Sequence, residues 1–233
     1  MKIINSILFV SLIIFTSCTT GKNTITSTLT PKSQVENLLN TGANSAYSIF
    51  GNSTDFLSNA LIEAVMPQGL KDINTKLSQL GLNSVVEKQK EIIGKVALTS
   101  LTTLKPLISN AIKNITPTDA ITILSGEKGA ATNFLRQKTE VQLIKNLTPI
   151  VSNELNKLGL TKIMNSATGG NSTAINKIIG TLLNSKTNEN ATNQLDNLVT
   201  NQLVNGLYNV VLDSEKNNNL ISNGINSILK GLK

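Results

Sequence analysis

Apolar residues recur at alternating spacings of three and four positions along most of the chain beyond residue 33, which is the period of an amphipathic helix. The pattern begins between Val35 and Leu39 and returns from Phe56 to Val65, where Pro67 closes the segment. A third segment runs from about 69 to 80 and stops at Gly81, a residue type that tolerates the left-handed conformation of a helix end. The first part of the chain therefore predicts three short helices.

Two longer helical patterns follow, and each contains one proline. We expect Asn83 to cap the first of these helices and Pro106 to kink its second half. Its apolar positions are Val86, Ile92, Ile93, Val96, Leu101, Leu104 and Ile108. The second long pattern contains Pro149 and ends at Gly159, and its apolar positions are Val141, Ile144, Leu147, Val151, Leu155 and Leu158. Each pattern predicts a helix with one face in a core.

The segment between the two long patterns contains a helix start that local sequence alone specifies. Thr116 is a suitable N-cap, Pro117 suits the first helical position, and Asp119 would lie near the positive end of the helix dipole. We expect this helix to end by Gly126. Beyond a linker at 168–171, the pattern predicts three further helices, near 172–184, 191–213 and 219–232.

Together these segments predict an all-α fold, a single bundle of amphipathic helices. Aromatic residues make up only 3% of the chain and Trp is absent, so the core must be built from Leu, Ile, Val and Ala. A short word (an aliphatic residue, Ser or Thr, Asn, any residue, then Leu or Ile) begins at Leu57, Ile108, Val151, Val199 and Ile221. This word is either a chance product of an Asn-rich chain or the trace of duplicated helical hairpins.

The amino terminus has the organisation of an export signal. Lys2 provides a positive start, an apolar run extends from Ile7 to Phe15, and small residues precede Cys18. The segment from Phe15 to Cys18 resembles a lipobox, and this resemblance implies cleavage before Cys18 and attachment of lipid to that cysteine. The apolar run is too short to span a bilayer as a helix, which needs about 20 residues.

These features predict three parts: a lipoprotein signal peptide at 1–17, a flexible tether at 18–32 and one all-helical domain at 33–233. The expected location is the cell envelope, with lipidated Cys18 holding the protein in a membrane. No acidic residue follows Cys18 closely, so nothing resembles a retention signal for the inner membrane. The periplasmic face of the outer membrane is therefore the expected place.

Composition also limits the chemistry of the domain. His is absent and Cys18 is the only cysteine, which excludes Ser-His-Asp and Cys-His catalysis, His/Cys zinc sites, His-ligated haem and disulfides. We predict no metal site and no cofactor. The net charge is +7, but the lysines are scattered. The segment from Gly126 to Gly129 resembles a nucleic-acid clamp only superficially, because no strand pattern accompanies it, and we predict no nucleic-acid partner.

The stretch from Ile115 to Thr139 resembles the signature of an uncharacterised bacterial family, domain of unknown function 4197. The positions that carry the resemblance are Asp119, Ala120, Ile123, Leu124, Gly126, Ala130, Ala131, Thr132, Phe134, Arg136 and Thr139. Supporting similarity extends it to about residues 57–216, although the stretch from Gly94 to Leu98 departs from the family's pattern. The resemblance implies an exported helical protein and leaves its activity open.

Four polar residues are the candidate binding site. Thr132, Arg136 and Thr139 are spaced four and three apart, so one side of a helix would present two hydroxyls beside a guanidinium, and Asp119 lies nearby in sequence. Such a group could hold an anion or a carboxylate. In the alternative interpretation Arg136 pairs with Asp119 or a helix end, and both threonines bond to backbone carbonyls.

We therefore predict a binding or scaffold protein rather than an enzyme, with an envelope protein or an apolar ligand as its partner. The alternative is a His-independent hydrolase of an envelope polymer, with Asp119 and Glu140 as an acid/base pair across a cleft. A third hypothesis is a purely structural spacer, which predicts neither a pocket nor a carboxylate with a shifted pKa.

Overall fold

The computed structural model describes residues 30–159 and 191–218, and in these ranges all regular structure is helical, as predicted. The helices are α1 (Pro31–Phe50), α2 (Ser53–Ser58), α3 (Ala60–Ala64), α4 (Gln68–Gln79), α5 (Asn83–Lys113), α6 (Pro117–Leu124), α7 (Ala130–Lys157) and α8 (Ala191–Asn217). The helices predicted near 172–184 and 219–232, with the linker at 168–171, lie outside the described residues.

The domain begins two residues earlier than we predicted from the sequence. Thr30 is the N-cap of α1, and its hydroxyl oxygen accepts a hydrogen bond of 3.2 Å from the backbone N–H of Ser33. Pro31 follows in the first turn, where its missing N–H costs nothing. Residues 31 and 32 therefore belong to the first helix rather than to the tether.

The single helix predicted from Phe56 to Val65 is wrong, because the chain breaks at Asn59. The side-chain oxygen of Asn59 accepts hydrogen bonds from the backbone N–H groups of Leu61 (3.0 Å) and Ile62 (3.3 Å), which starts a new helix there. The break changes which residues face inward. Phe56 and Ile62 are buried, whereas Leu57 is 38% exposed.

Asn83 does not cap α5, contrary to the prediction. Gly81 adopts a positive φ of 77°, and the N–H of Leu82 donates to the carbonyl of Leu77 at 2.9 Å, which closes the end of α4. The next helix then starts at once, with Leu82 as its N-cap and Asn83 as its first residue. The turn is too short to leave Asn83 in the extended conformation that a side-chain cap requires.

The long helices α5 and α7 run unbroken through Pro106 and Pro149 and pack along each other. All seven apolar positions predicted for α5 are buried. In α7, Leu147, Val151 and Leu155 are buried as predicted, but Val141 is 81% exposed. The buried positions of α7 repeat every four residues from Leu135, and Val141 falls outside that stripe.

Helix α8 lies at the centre of the described fold. It packs against α1, α3, α4 and α7, and its buried apolar side chains are Leu195, Val199, Leu203, Val204, Leu207, Tyr208, Val210 and Val211. It approaches the backbone of α1 closely, since a Cβ on Gly42 would lie 3.1 Å from the Cα of Val211. The hydrophobic core of the domain is thus organised around a helix that comes late in the chain.

Three of the four described copies of the Ser/Thr-Asn word place their first aliphatic residue in this core, whereas Leu57 in the remaining copy is 38% exposed. Ile108, Val151 and Val199 are buried. The asparagines of the word do not share one environment: Asn110 and Asn153 are exposed, Asn59 caps a helix, and the asparagine of the fifth word lies outside the described residues. The word therefore marks buried helix faces rather than one polar groove.

Candidate functional site

The start of α7 holds a buried carboxylate that comes from another helix. Gly129, the N-cap of α7, has a φ of 101° and no side chain that could accept from the first helical N–H groups. Glu215 of α8, which is 1% exposed, takes this role. One of its oxygens accepts from the N–H of Gly129 (2.9 Å) and of Ala131 (3.0 Å).

Among the described residues, the second oxygen of Glu215 is bound by Thr132 alone. It accepts from the N–H of Thr132 at 2.8 Å and from the hydroxyl of the same residue at 2.5 Å. Four donors therefore surround one buried carboxylate at the positive end of a 28-residue helix. An anion-binding site at a helix start has this geometry, and here the bound group is the protein's own Glu215 carboxylate.

Arg136 lies one turn further along α7 and faces α8. Its guanidinium donates to the Glu140 carboxylate at 2.6 Å and to the Asn205 side-chain oxygen at 3.1 Å. The same group stacks over the ring of Tyr208, 4.4 Å from its centroid. The Arg136–Glu140 pair is about one-third exposed on both sides, so it borders solvent at the seam between the two helices.

Thr139 completes the contact between α7 and α8. Its hydroxyl bonds to the carbonyl of Leu135 and to the hydroxyl of Tyr208, at 2.7 Å in both cases. Tyr208 is 1% exposed, and burial raises the pKa of its phenol to about 12, so the ring remains neutral. The two threonines and the arginine thus hold one helix against another.

Asp119 stands apart from this seam, at the start of α6. It forms a capping box with Thr116, as the local sequence predicts: the Thr116 hydroxyl accepts from the N–H of Asp119 at 3.1 Å, and the Asp119 carboxylate accepts from the N–H of Thr116 at 3.0 Å. The Thr116 hydroxyl also bonds to that carboxylate at 2.7 Å. These hydrogen bonds lower the pKa of Asp119.

An open groove of about 500 Å³ joins Asp119 to the outer edge of α7. Its apolar wall is formed by Leu107, Ala111 and Phe134, and its polar rim contains Asn110, Asn114, Thr116, Asp119, Lys138, Thr139 and Gln142. Of the four residues predicted from the sequence, the groove contains Asp119 and Thr139. Thr132 and Arg136 face α8 instead.

The chain matches a protein-family model over most of its length. The family model described as "Protein of unknown function (DUF4197)" matches residues 26–223 of the 233. The chain belongs to this family. No curated protein and no solved structure matches it. The family match confirms the resemblance seen in the sequence and extends it beyond residues 57–216 at both ends.

Several of the positions that carry the DUF4197 resemblance attach α8 to the start of α7. Gly126 has no room for a side chain, because a Cβ there would lie 2.7 Å from the Cβ of Ala130. Ala131 is fully buried beneath the carboxylate that Thr132 binds. Four signature positions, Gly126, Ala130, Ala131 and Thr132, therefore have a structural account in the α6–α7 turn and its contact with Glu215.

Three residues of the seam could not be found by sequence reasoning: Glu215, Asn205 and Tyr208. Each is 69 to 86 positions away from the residue of α7 or its cap that it contacts. The one local signal was a glycine-flanked turn before a helix that offers no acceptor of its own. The sequence resembles a nucleic-acid clamp there only superficially, and in the structure the amides of Gly129, Ala131 and Thr132 bind Glu215.

Within residues 30–159 and 191–218, no group of three or more acidic, His or Cys residues is arranged to hold a metal ion. No helix in these ranges is long and apolar enough to cross a membrane. The hydrolase hypothesis needs Asp119 or Glu140 as a general acid. The capping bonds lower the pKa of Asp119, which favours its charged carboxylate instead, and the Glu140 carboxylate is paired with Arg136 at 2.6 Å.

Proposed function

We propose that this protein is an exported, lipid-anchored envelope protein that binds a partner through the groove between α5, α6 and α7, without catalysing a reaction. The observation that carries the proposal is the groove itself, which has about 500 Å³ of open space and a lining that mixes apolar and hydrogen-bonding groups. Such a mixture is typical of binding surfaces.

The position of the groove agrees with a lipid anchor at Cys18. Lys32, in the first turn of α1, donates from its ammonium group to the carbonyl of Lys113 at 3.3 Å, and the next residue, Asn114, lines the groove. The start of the domain and the groove are therefore at the same end of the bundle. Eleven residues lie between Cys18 and Thr30, so these two positions are at most about 40 Å apart, and a lipidated cysteine would keep the groove close to the membrane.

The lining favours an extended peptide segment of another envelope protein as the partner. The amides of Asn110, Asn114 and Gln142 can donate to and accept from a peptide backbone. One carboxylate and one ammonium group, those of Asp119 and Lys138, balance the charge, so the groove does not select for a strongly charged polymer. The apolar wall offers space for one or two side chains.

The assignment of the polar residues supports binding rather than catalysis. Thr132 holds Glu215, Arg136 holds Glu140, and Asp119 caps α6, so each group has a structural partner. A catalytic acid or base needs a proton that it can exchange near neutral pH. Asp119, the one carboxylate in the groove, has its pKa shifted away from that range.

Photocrosslinking in cells tests the groove. A photoreactive phenylalanine analogue at Gln142, which lines the groove, is expected to capture a defined envelope protein. The matched control carries the same analogue at the adjacent Val141, which is 81% exposed and does not line the groove. Equal capture from both positions, or capture from neither, would contradict the proposed binding role.

A separate experiment tests the anchor. In cells fed a radioactive fatty acid, the wild-type chain is expected to take up label and to sediment with membranes. Cys18→Ser removes the only thiol in the chain and is expected to abolish both. A labelled Cys18→Ser variant, or an unlabelled wild type, would refute lipid attachment while leaving the crosslinking result to stand alone.

A further inference from the structure

A second cavity lies on a different side of the bundle, where α2, α3, α4, α5 and α8 meet. It has a volume of about 90 Å³ and shares no residue with the groove. Its walls are mainly apolar and include Phe56, Ile62, Met66, Leu70 and Ile93. Five helices from separate parts of the chain thus surround one small space.

The side-chain oxygens of two amides in this apolar cavity have no hydrogen-bond partner among the described residues. Gln202 of α8 is 4% exposed, and its side-chain oxygen is buried and has no partner among the described residues. The side-chain oxygen of Asn74 on α4 is in the same condition. A buried amide that lacks a partner costs about 1–3 kcal/mol, so a fold retains one mainly where something else satisfies it.

We infer that this cavity binds a small neutral molecule with an aliphatic body and a hydroxyl group. The hydroxyl donates to an amide oxygen and can accept from an amide nitrogen, so it fits Gln202 and Asn74 in either orientation of their amides. The aliphatic body lies against the side chains of Phe56, Leu70 and Ile93.

Size and charge narrow the class of ligand further. An engineered cavity of about 150 Å³ holds benzene, so about 90 Å³ accommodates a chain of roughly four carbons. Glu63 and Lys90 both line the cavity, so the two charges roughly cancel there, and Lys90 is also paired with Glu87 at 3.1 Å. A neutral ligand is therefore favoured over an ion.

The probe pair that tests this inference is 2-butanol and 2-butanone, which share one carbon skeleton and differ in the ability to donate a hydrogen bond. Titration of the isotope-labelled protein is followed by NMR at the amides of Leu70, Ile93 and Gln202. We expect saturable shifts with 2-butanol and binding of 2-butanone that is about fivefold weaker, the ratio that one hydrogen bond supplies.

Two cavity variants and one control variant locate the interaction. Gln202→Leu is expected to remove the preference for the alcohol while preserving the folded spectrum, because the substitution deletes a buried amide without a partner. Gln142→Leu, on the groove, is expected to leave the preference unchanged, and Asn74→Leu provides a second cavity variant. Linear, unsaturable shifts would mean that only water occupies the cavity. Either such shifts or equal affinities for 2-butanol and 2-butanone would overturn the inference. Neither result affects the crosslinking test of the groove.

Discussion

Glu215 shows how one residue can fix the position of a helix that is far away in the chain. The first N–H groups of a helix need acceptors, and in most helices a nearby Ser, Thr, Asp or Asn supplies them. In α7 the acceptor comes from α8, and it carries a full charge into a buried place. The helix dipole and four donors compensate for the loss of solvation. The interaction therefore stabilises the fold only when α7 and α8 are both in place.

Glu215→Gln is expected to lower the free energy of unfolding by about 2–3 kcal/mol, because an amide has one acceptor oxygen and its NH₂ group would face donors. Urea denaturation followed by circular dichroism measures this loss. Glu127→Gln is the matched control, because Glu127 is an exposed residue in the same turn; its stability should change by less than about 0.5 kcal/mol. Equal effects in the two variants would mean that the buried carboxylate is not what holds the helices together.

The contribution of Asp196 to the free energy of unfolding is expected to depend on pH with a sign opposite to that of an ordinary paired carboxylate. It is 3% exposed, one of its oxygens has no partner among the described residues, and burial raises its pKa despite a hydrogen bond from Ser152. A carboxyl whose folded pKa exceeds its unfolded pKa favours folding below the unfolded value, and this contribution is lost as the pH rises through the folded pKa.

Asp196→Asn is therefore expected to be more stable than the wild type at pH 7, with the difference shrinking as the pH falls toward about 3.5, below the usual aspartate pKa. Thermal unfolding of both proteins across this pH range measures the difference. Asp213→Asn, on the half-exposed face of the same helix, controls for the change in net charge. A variant that is less stable than the wild type at neutral pH would show that the charged form of Asp196 is the favoured one.

At the level of elements, the sequence is informative where the determinants are local. Thr116, Pro117 and Asp119 specify the start of α6 within four residues, and the capping box forms as predicted. The break at Asn59 also has a local determinant, the capping side chain of Asn59 itself. The sequence does not reveal it, because Asn is common in this chain and the apolar period continues across the break. The prediction that Val141 is buried failed for a different reason. The residue type is the same for an exposed and a buried valine, and only packing against a partner helix distinguishes the two.

The candidate site also has a part that local sequence predicts and a part that depends on tertiary contacts. The hydroxyls of Thr132 and Thr139 and the guanidinium of Arg136 do share one side of α7, as their spacing predicts. What they contact could not be deduced, because Glu215, Asn205 and Tyr208 come from α8, which the chain reaches only after a further 34 residues. Spacing specifies a helix face, whereas a contact with a residue 69 to 86 positions away depends on the tertiary arrangement.

The crossing of α1 and α8 depends on a glycine that brings the two backbones together. A Cβ at Gly42 would lie 3.1 Å from both the Cα and a side-chain methyl of Val211, and the first of these belongs to the backbone and cannot turn away. Gly42→Val is expected to cost about 1–3 kcal/mol through overpacking. Thr41→Val, at the exposed adjacent position, should be nearly neutral. Chemical denaturation of the two variants gives the comparison, and equal stabilities would show that the helices separate without cost.

At the level of the whole molecule, the central helix of the described fold comes late in the sequence, whereas the two helices with the fewest buried residues, α2 and α3, come early. Helix α8 is buried against α1, α3, α4 and α7, whereas α2 and α3 have six and five residues and one fully buried apolar residue each. Burial of apolar contacts sets how much free energy is needed to open a segment locally. The structure therefore predicts a gradient of local stability that does not follow chain order.

Native-state hydrogen exchange is expected to show this gradient directly. Amides from Val199 to Val211 should exchange only when the whole domain unfolds, so their opening free energies should equal the value from denaturant titration. Amides from Ser53 to Ala64 should exchange through local openings that are insensitive to low denaturant. In Glu215→Gln the protection of α8 should fall together with that of the first turn of α7, because the same carboxylate links both. If the protection of α8 fell alone, the two helices would be independent units and the link through Glu215 would have no energetic role.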